Sequence, residues 1–150
     1  MRVWRIARRA FQALDGEGAR RFGGRWNSPG RAVVYASETL SLAALEYLAH
    51  IDPPLVPDDL VALHIDVPES PGAAVEVDQF PDPDWRGYPA VEWQQELGDL
   101  WVADGTFLWL AVPSAIVPEE YNVLLNAAHP RMRDVTVVEV RDFRFDQRLV

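Results

Sequence analysis

Ala32-Val33-Val34-Tyr35-Ala36-Ser37-Glu38-Thr39-Leu40-Ser41-Leu42-Ala43-Ala44-Leu45-Glu46-Tyr47-Leu48-Ala49-His50-Ile51 reads as a strand running directly into a helix. Ala32–Ala36 is a short apolar run with two valines and a tyrosine, the composition of a buried strand. Leu40–Ile51 is long enough for three helical turns. Ser37 or Thr39 can cap it, and Pro53, Pro54 and Pro57 end it. Upstream, Val3–Ile6 predicts a short strand, and Asp15–Gly30 a loop rich in Gly and Arg. Downstream, Val61, Leu63, Ile65 and Val67 alternate with Ala62, His64 and Asp66, the period of a half-buried strand. A further strand is expected near Ala74–Val77, then a Pro/Asp-rich loop from Asp78 to Pro89. Trp93, Leu97, Leu100 and Trp101 recur at helical spacing and predict an amphipathic helix stopped by Asp104-Gly105. Thr106–Val112 reads as a strand, Pro118–Asn126 as a short helix, and Val135–Val140 as a β-branched strand followed by Phe143 and Phe145. About six strands and two or three helices, not strictly alternating, make an α+β fold. No repeat or linker divides residues 1–150, so one domain is expected.

Apolar residues make up 49% of the chain and charged residues 25%, a balance that permits an ordinary globular core. No apolar run approaches the roughly 18 residues of a membrane span, and the arginine-rich start lacks the apolar segment of a secretory signal. The absence of cysteine removes disulfides and thiolate–metal sites. His50, His64 and His129 lie far apart without metal-ligand spacing. A cytoplasmic protein without a metal is the expectation. The net charge of −9 argues against direct binding to nucleic acid, which needs a field of Lys and Arg. Yet Arg2, Arg5, Arg8, Arg9, Arg20 and Arg21 precede Phe22, Arg25 and Arg31 follow closely, and acidic residues dominate from Asp52 to Asp104. The basic start either holds a small anion or pairs with the acidic remainder; composition leaves both open.

Several residues sit where their chemistry is unexpected. The Leu40–Ile51 helix is apolar nearly all round, which predicts a buried helix, and Glu46 lies in its middle. A buried carboxylate is unfavourable by several kcal/mol unless it is paired, reaches water or serves a function. In Gly23-Gly24-Arg25-Trp26-Asn27-Ser28-Pro29-Gly30, paired glycines let backbone approach a ligand and a guanidinium can grip phosphate, although a plain turn accounts for the same residues. Tyr35 and Ser37 share one face of their strand. The tyrosine fits core packing with its hydroxyl satisfied equally well. Arg5 stands in the first strand where an apolar residue is expected. Ser114, after Pro113, is either presented at a sheet edge or begins a turn. His64 falls on the polar side of its strand, exposed and without a role, and the Trp93 helix reads as core.

Gly24-Arg25-Trp26-Asn27, Val33-Val34-Tyr35-Ala36-Ser37-Glu38, Leu42-Ala43-Ala44-Leu45-Glu46, and Val112-Pro113-Ser114 with Asn126 and His129-Pro130 together resemble the RES domain. That family is named for an Arg, a Glu and a Ser, matched here by Arg25, Glu46 and Ser114. The similarity runs from Trp4-Arg5 to the strand near Val138 and is weakest between Val67 and Pro89. The resemblance implies a fold similar to ADP-ribosyltransferases, a split β core with flanking helices around an NAD⁺ cleft. It implies a toxin that depletes NAD⁺ and arrests growth. Its usual partner is an Xre-type antitoxin with a helix-turn-helix, and a toxin homodimer within the complex is in keeping with the family. By position, Arg25, Tyr35 and Glu46 are the expected catalytic residues, with Arg5 and Ser114 lining the pocket; Ser37 joins them through its strand phase beside Tyr35.

The implied chemistry suits these residue types. Nicotinamide leaves NAD⁺ as a neutral molecule, so no strong general acid is required. The transition state resembles an oxocarbenium ion, which a carboxylate can stabilise. Glu46 is expected in that role, Arg25 and Arg5 on the pyrophosphate, Tyr35 near the nicotinamide ribose, and Ser114 as an orienting hydrogen bond. NAD⁺ is then the substrate, with no cofactor or metal beyond it. The acceptor is water or phosphate. Transfer of ADP-ribose to a cellular protein is the alternative reaction, and a non-catalytic module that binds a nucleotide or the antitoxin is the alternative of another class.

Overall fold

In the computed structural model, which describes residues 1–150, seven strands form one sheet: β1 (Arg2–Arg8), β2 (Val33–Ser37), β3 (Leu60–Asp66), β4 (Gly72–Ala74), β5 (Trp109–Pro113), β6 (Tyr121–Asn126) and β7 (Thr136–Asp142). Three α-helices accompany them, α1 (Glu17–Phe22), α2 (Leu40–Ala49) and α3 (Glu92–Asp104). The sheet order is β4-β5-β6-β2-β1-β3-β7, with every neighbouring pair antiparallel except β4 and β5. Strands β1 and β3 stay in register from Arg2↔Asp66 to Arg8↔Leu60, and β2 and β6 from Val33↔Asn126 to Ser37↔Asn122. By contrast, β1 meets β2 at Trp4↔Ser37 alone. The sheet therefore divides into two well-paired halves joined at Trp4 and Ser37, and the α+β class and the split core are both present.

Strand alternation distributes the core. Val34, Ala36, Val123 and Leu125 point to one face, where they join Val3, Ala7, Val61, Leu63 and Ile65. On the other face Val33, Leu110, Val112 and Leu124 pack with Trp26 and Trp101 of α3. Helix α2 closes that same face over β1, packing Ala43 on Ile6 and Leu60. Leu42, fully buried, and its like contribute about 1.5–3 kcal/mol each relative to exposure. No helix is long and apolar enough to cross a membrane.

Several expectations change. Residues 118–126 were expected as a helix; Pro118 instead lies in a turn, and β6 begins at Tyr121. As a strand between β5 and β2 it is buried on both sides from Val123 onward, so it lacks the alternation that marks a half-exposed strand. Helix α1 forms inside the expected Asp15–Gly30 loop, tied by Glu17 to Arg20 and Arg21. Helix α2 is capped by Thr39, whose hydroxyl accepts the Leu42 amide. It is not buried all round: only Leu42 and Ala43 are buried, and Leu45 is exposed. The buried line of α3 is Gln94, Gly98 and Trp101; of the expected apolar row Trp101 is buried, Trp93 and Leu97 pack partly buried against the core, and only Leu100 lies outside at 71% exposure. The short strand expected near Ala74–Val77 is β4, which ends at Ala74. His64 is half-buried, its ring stacked 3.9 Å from that of Trp4.

Candidate active site

Arg25 is held by its neighbours in the chain before it meets anything else. Tyr35, on β2, accepts the Trp26 amide at its hydroxyl oxygen (3.1 Å) and donates its proton to Asn27 Oδ1 (2.7 Å). Gly24 makes this possible, since a Cβ there would lie 2.7 Å from the Tyr35 oxygen. Asn27 in turn donates to the Ala19 carbonyl, and Gln95 of α3 donates to the Gly24 carbonyl (3.0 Å). Between these fixed points the Arg25 Nη1 group donates to the Trp85 carbonyl (2.9 Å) and to Gln94 Oε1 (3.2 Å). Gln94, fully buried, also donates to the Trp85 carbonyl. No carboxylate lies within ion-pair distance of Arg25. Burial lowers its pKa, a shift opposed by the charge of Glu46 and by Tyr35. Burial also pushes the Tyr35 hydroxyl well above the usual phenol range, so it stays protonated and bonded.

Glu46 receives its partners from the sheet. Its Oε1 accepts the Ser114 hydroxyl (2.8 Å) and the Asn122 amide (2.5 Å). Its Oε2 has no protein partner and is not among the buried orphan atoms, so it opens to solvent. Ser114, fully buried after β5, accepts the amides of Ile116 (3.0 Å) and Val117 (3.1 Å), a serine turn that leaves its one proton for Glu46. Ser37 donates to Asn122 Oδ1 (2.7 Å). The chain Ser37–Asn122–Glu46–Ser114 thus crosses β2, β6, α2 and the end of β5, beside the point where the sheet halves meet.

Arg5 stands apart from this chain. Its register opposite Leu63 puts it on the face of Val3 and Ala7, away from Tyr35 and Ser37. Its Nε is buried without a partner, burial lowers its pKa, and Asp15 opposes the shift. The other early arginines are spent on the protein itself: Arg2 pairs with Asp66, Arg8 with Asp59, Arg9 with Asp142, and Arg20 and Arg21 with Glu17. Asn122 and Gln94 were missed by sequence reasoning. Asn122 fell in the expected helix, and Gln94 reads as a polar residue of an amphipathic one. The acidic loop is no bystander either: Trp85 is buried beside Phe80, and Arg86 ties the loop to the carbonyls of Ala115 and Ile116, just past Ser114.

The model of the RES domain family matches residues 2–146. The chain belongs to the RES domain family. A protein named Toxin Res from Pseudomonas putida is 39% identical, over 99% of each chain. Toxin Res from Photorhabdus laumondii is 36% identical, over 100% of this chain and 97% of its own. A Sphingobium protein named Prs ADP-ribosylating toxin is 37% identical, over 98% of this chain and 95% of its own. Among solved structures, a chain of the M. tuberculosis MbcT–MbcA toxin–antitoxin complex superposes with a TM-score of 0.79 at 20% identity, covering 95% of this chain and 83% of that one, a likeness of fold. Of the three residue types for which the RES domain is named, Glu46 and Ser114 are in direct contact here, while Arg25 acts on Glu46 only through its charge.

Proposed function

We propose that this RES domain is the toxin of a toxin–antitoxin pair and that it cleaves the bond between nicotinamide and ribose in NAD⁺. The observation that carries the reading is the separation of charges. Glu46 has one oxygen saturated and the other open, and a half-buried Arg25 without a carboxylate partner acts on it through space. Two fixed, opposite, unneutralised charges suit a substrate that develops positive charge at its ribose and carries negative charge on its pyrophosphate.

In this reading Arg25 binds the pyrophosphate through the guanidinium nitrogens that Trp85 and Gln94 leave free. Glu46 Oε2 faces the ribose and stabilises positive charge at C1′ as the C1′–N bond lengthens. The bonding electron pair departs with the nicotinamide ring, which leaves neutral, and an oxygen of water or phosphate bonds to C1′. When water attacks, its proton passes to solvent. Tyr35 holds Arg25, and Ser114 holds Glu46. Arg5, expected on the same anionic ligand, lies on the opposite face of the sheet with Val3 and Ala7, and this reading gives it no contact with the pyrophosphate. Toxin names among close relatives, and the pairing of MbcT with MbcA, support a neutralising antitoxin, here taken to be of Xre type.

The name of the Sphingobium relative favours a second reading, transfer of ADP-ribose to a protein. Adenine-labelled NAD⁺ separates the two when incubated with antitoxin-free protein, with and without phosphate, and then with cell extract. Release of nicotinamide with label in ADP-ribose or its phosphorylated form supports cleavage. Label in a macromolecule supports transfer, and no turnover by folded protein contradicts both.

A further inference from the structure

Asn122 bonds two groups of the site at once. Its Oδ1 accepts the Ser37 hydroxyl and its Nδ2 donates to Glu46 Oε1. Glu46 dictates the amide's orientation: turned over, Asn122 would set its carbonyl oxygen against a carboxylate oxygen, two acceptors face to face. Ser114 donates to the same carboxylate oxygen, and Oε2 receives nothing from the protein. Two donors on one oxygen fix the carboxyl plane, because rotation about its terminal torsion breaks both bonds. The donor's own place is set by the sheet, for Asn122 is the register partner of Ser37 across β2 and β6.

We infer that Asn122 is a positioning residue for the reaction at Glu46, a strand-borne amide that saturates Oε1 so that Oε2 alone meets the ribose. The inference rests on the cleavage proposed above. Asn122 needs no contact with substrate; it acts through Glu46.

Asn122→Asp keeps the shape and the acceptor for Ser37 but replaces the donor with a second acceptor. Asn122→Ala removes both. Nicotinamide release by antitoxin-free protein is expected to lose roughly 10- to 100-fold in kcat in each variant, with KM for NAD⁺ within about twofold of wild type. Ser37→Ala, which leaves the donor to Glu46, loses less. A lower melting temperature with unchanged kcat per folded molecule would make Asn122 merely structural and overturn the inference. Should wild-type protein release no nicotinamide, the cleavage reading fails by itself, and the Asn122 side-chain amide signals in ¹H–¹⁵N spectra decide the positioning role. Those signals are expected to move in Glu46→Ala and to stay in place in Glu119→Ala; signals unmoved in Glu46→Ala would overturn it.

Discussion

Tyr35 gives one hydroxyl to two otherwise unpartnered groups, the Trp26 amide and Asn27 Oδ1, and Arg25 lies immediately before them. Tyr35→Phe leaves both without a partner, which destabilises the fold by about 1–3 kcal/mol in urea unfolding and raises KM for NAD⁺ as Arg25 loosens. Little change in KM would show that the Gly24–Asn27 loop does not depend on this hydroxyl. Arg25→Lys is not a conservative change, because one ammonium cannot both satisfy Trp85 and Gln94 and present a fork to phosphate. Its expected result is a KM increase larger than that of Tyr35→Phe. At this scale the sequence was informative where a residue contradicted its surroundings. Glu46 in an apolar helix and Arg25 between glycines stood out for that reason. Asn122 and Gln94 did not, since an amide carries no charge to make its burial conspicuous. The hydroxyls of Ser114 and Tyr35 were found; a satisfied hydroxyl was one of the two readings of Tyr35 and holds, whereas spacing gave no sign that Ser114 is committed to Glu46 and its own turn.

Elements are positioned by contacts that periodicity understates. Helix α3 approaches the Arg25 loop so closely that a Cβ on Gly98 would lie 1.6 Å from the Trp26 carbonyl oxygen. Gly98→Ala therefore forces backbone apart and is expected to reduce unfolding free energy by about 3 kcal/mol. A loss below about 1 kcal/mol would mean the helix can shift freely. The same closeness explains why the apolar row of α3 gave its inner face only in part: beside Trp93, Leu97 and Trp101 the helix buries Gly98 for proximity and Gln94 for Arg25 and Trp85. The strand-to-helix unit Val33–Ala49 was legible because both hydrophobic patterns are strong and Thr39 caps the junction. Strand β6 was not, being buried on both faces beyond Asn122. The Pro/Asp-rich loop from Asp78 to Pro89 was the least legible, yet Arg86 fastens it beside Ser114 through two carbonyls. Arg86→Ala is expected to speed amide hydrogen exchange in residues 78–89 while leaving β2 and β6 protected; uniform exchange across all three would place the fastening elsewhere.

Over the whole molecule, the arginine-rich start serves two ends that composition could not separate. Arg2, Arg8, Arg9, Arg20 and Arg21 pair with acidic residues of the chain, whereas Arg5 and Arg25 are buried in part and left without a carboxylate partner. The exposed pairs shape acid stability. Hydrogen bonds from Arg20, then Arg21, hold Glu17 at about 2, below its ordinary 4.5, and Arg8 and Arg148 lower Asp59 and Asp146 in the same way. A depressed carboxylate stabilises the fold fully above its unfolded pKa and loses that contribution as pH falls toward the folded value. Melting temperature is thus expected to drop between about pH 4.5 and pH 2, and to drop less in high salt because the pairs are exposed. A salt-independent drop would assign acid unfolding to buried groups instead. The central claim, however, is chemical, and it concerns a carboxylate that β6 and the end of β5, through Asn122 and Ser114, hold open. Nicotinamide release from NAD⁺ by antitoxin-free wild-type protein, beside folded Glu46→Gln, tests it most directly. The account predicts release by the wild type and a loss of roughly 10²- to 10³-fold in the variant; equal release by both, or none by the wild type, would contradict it.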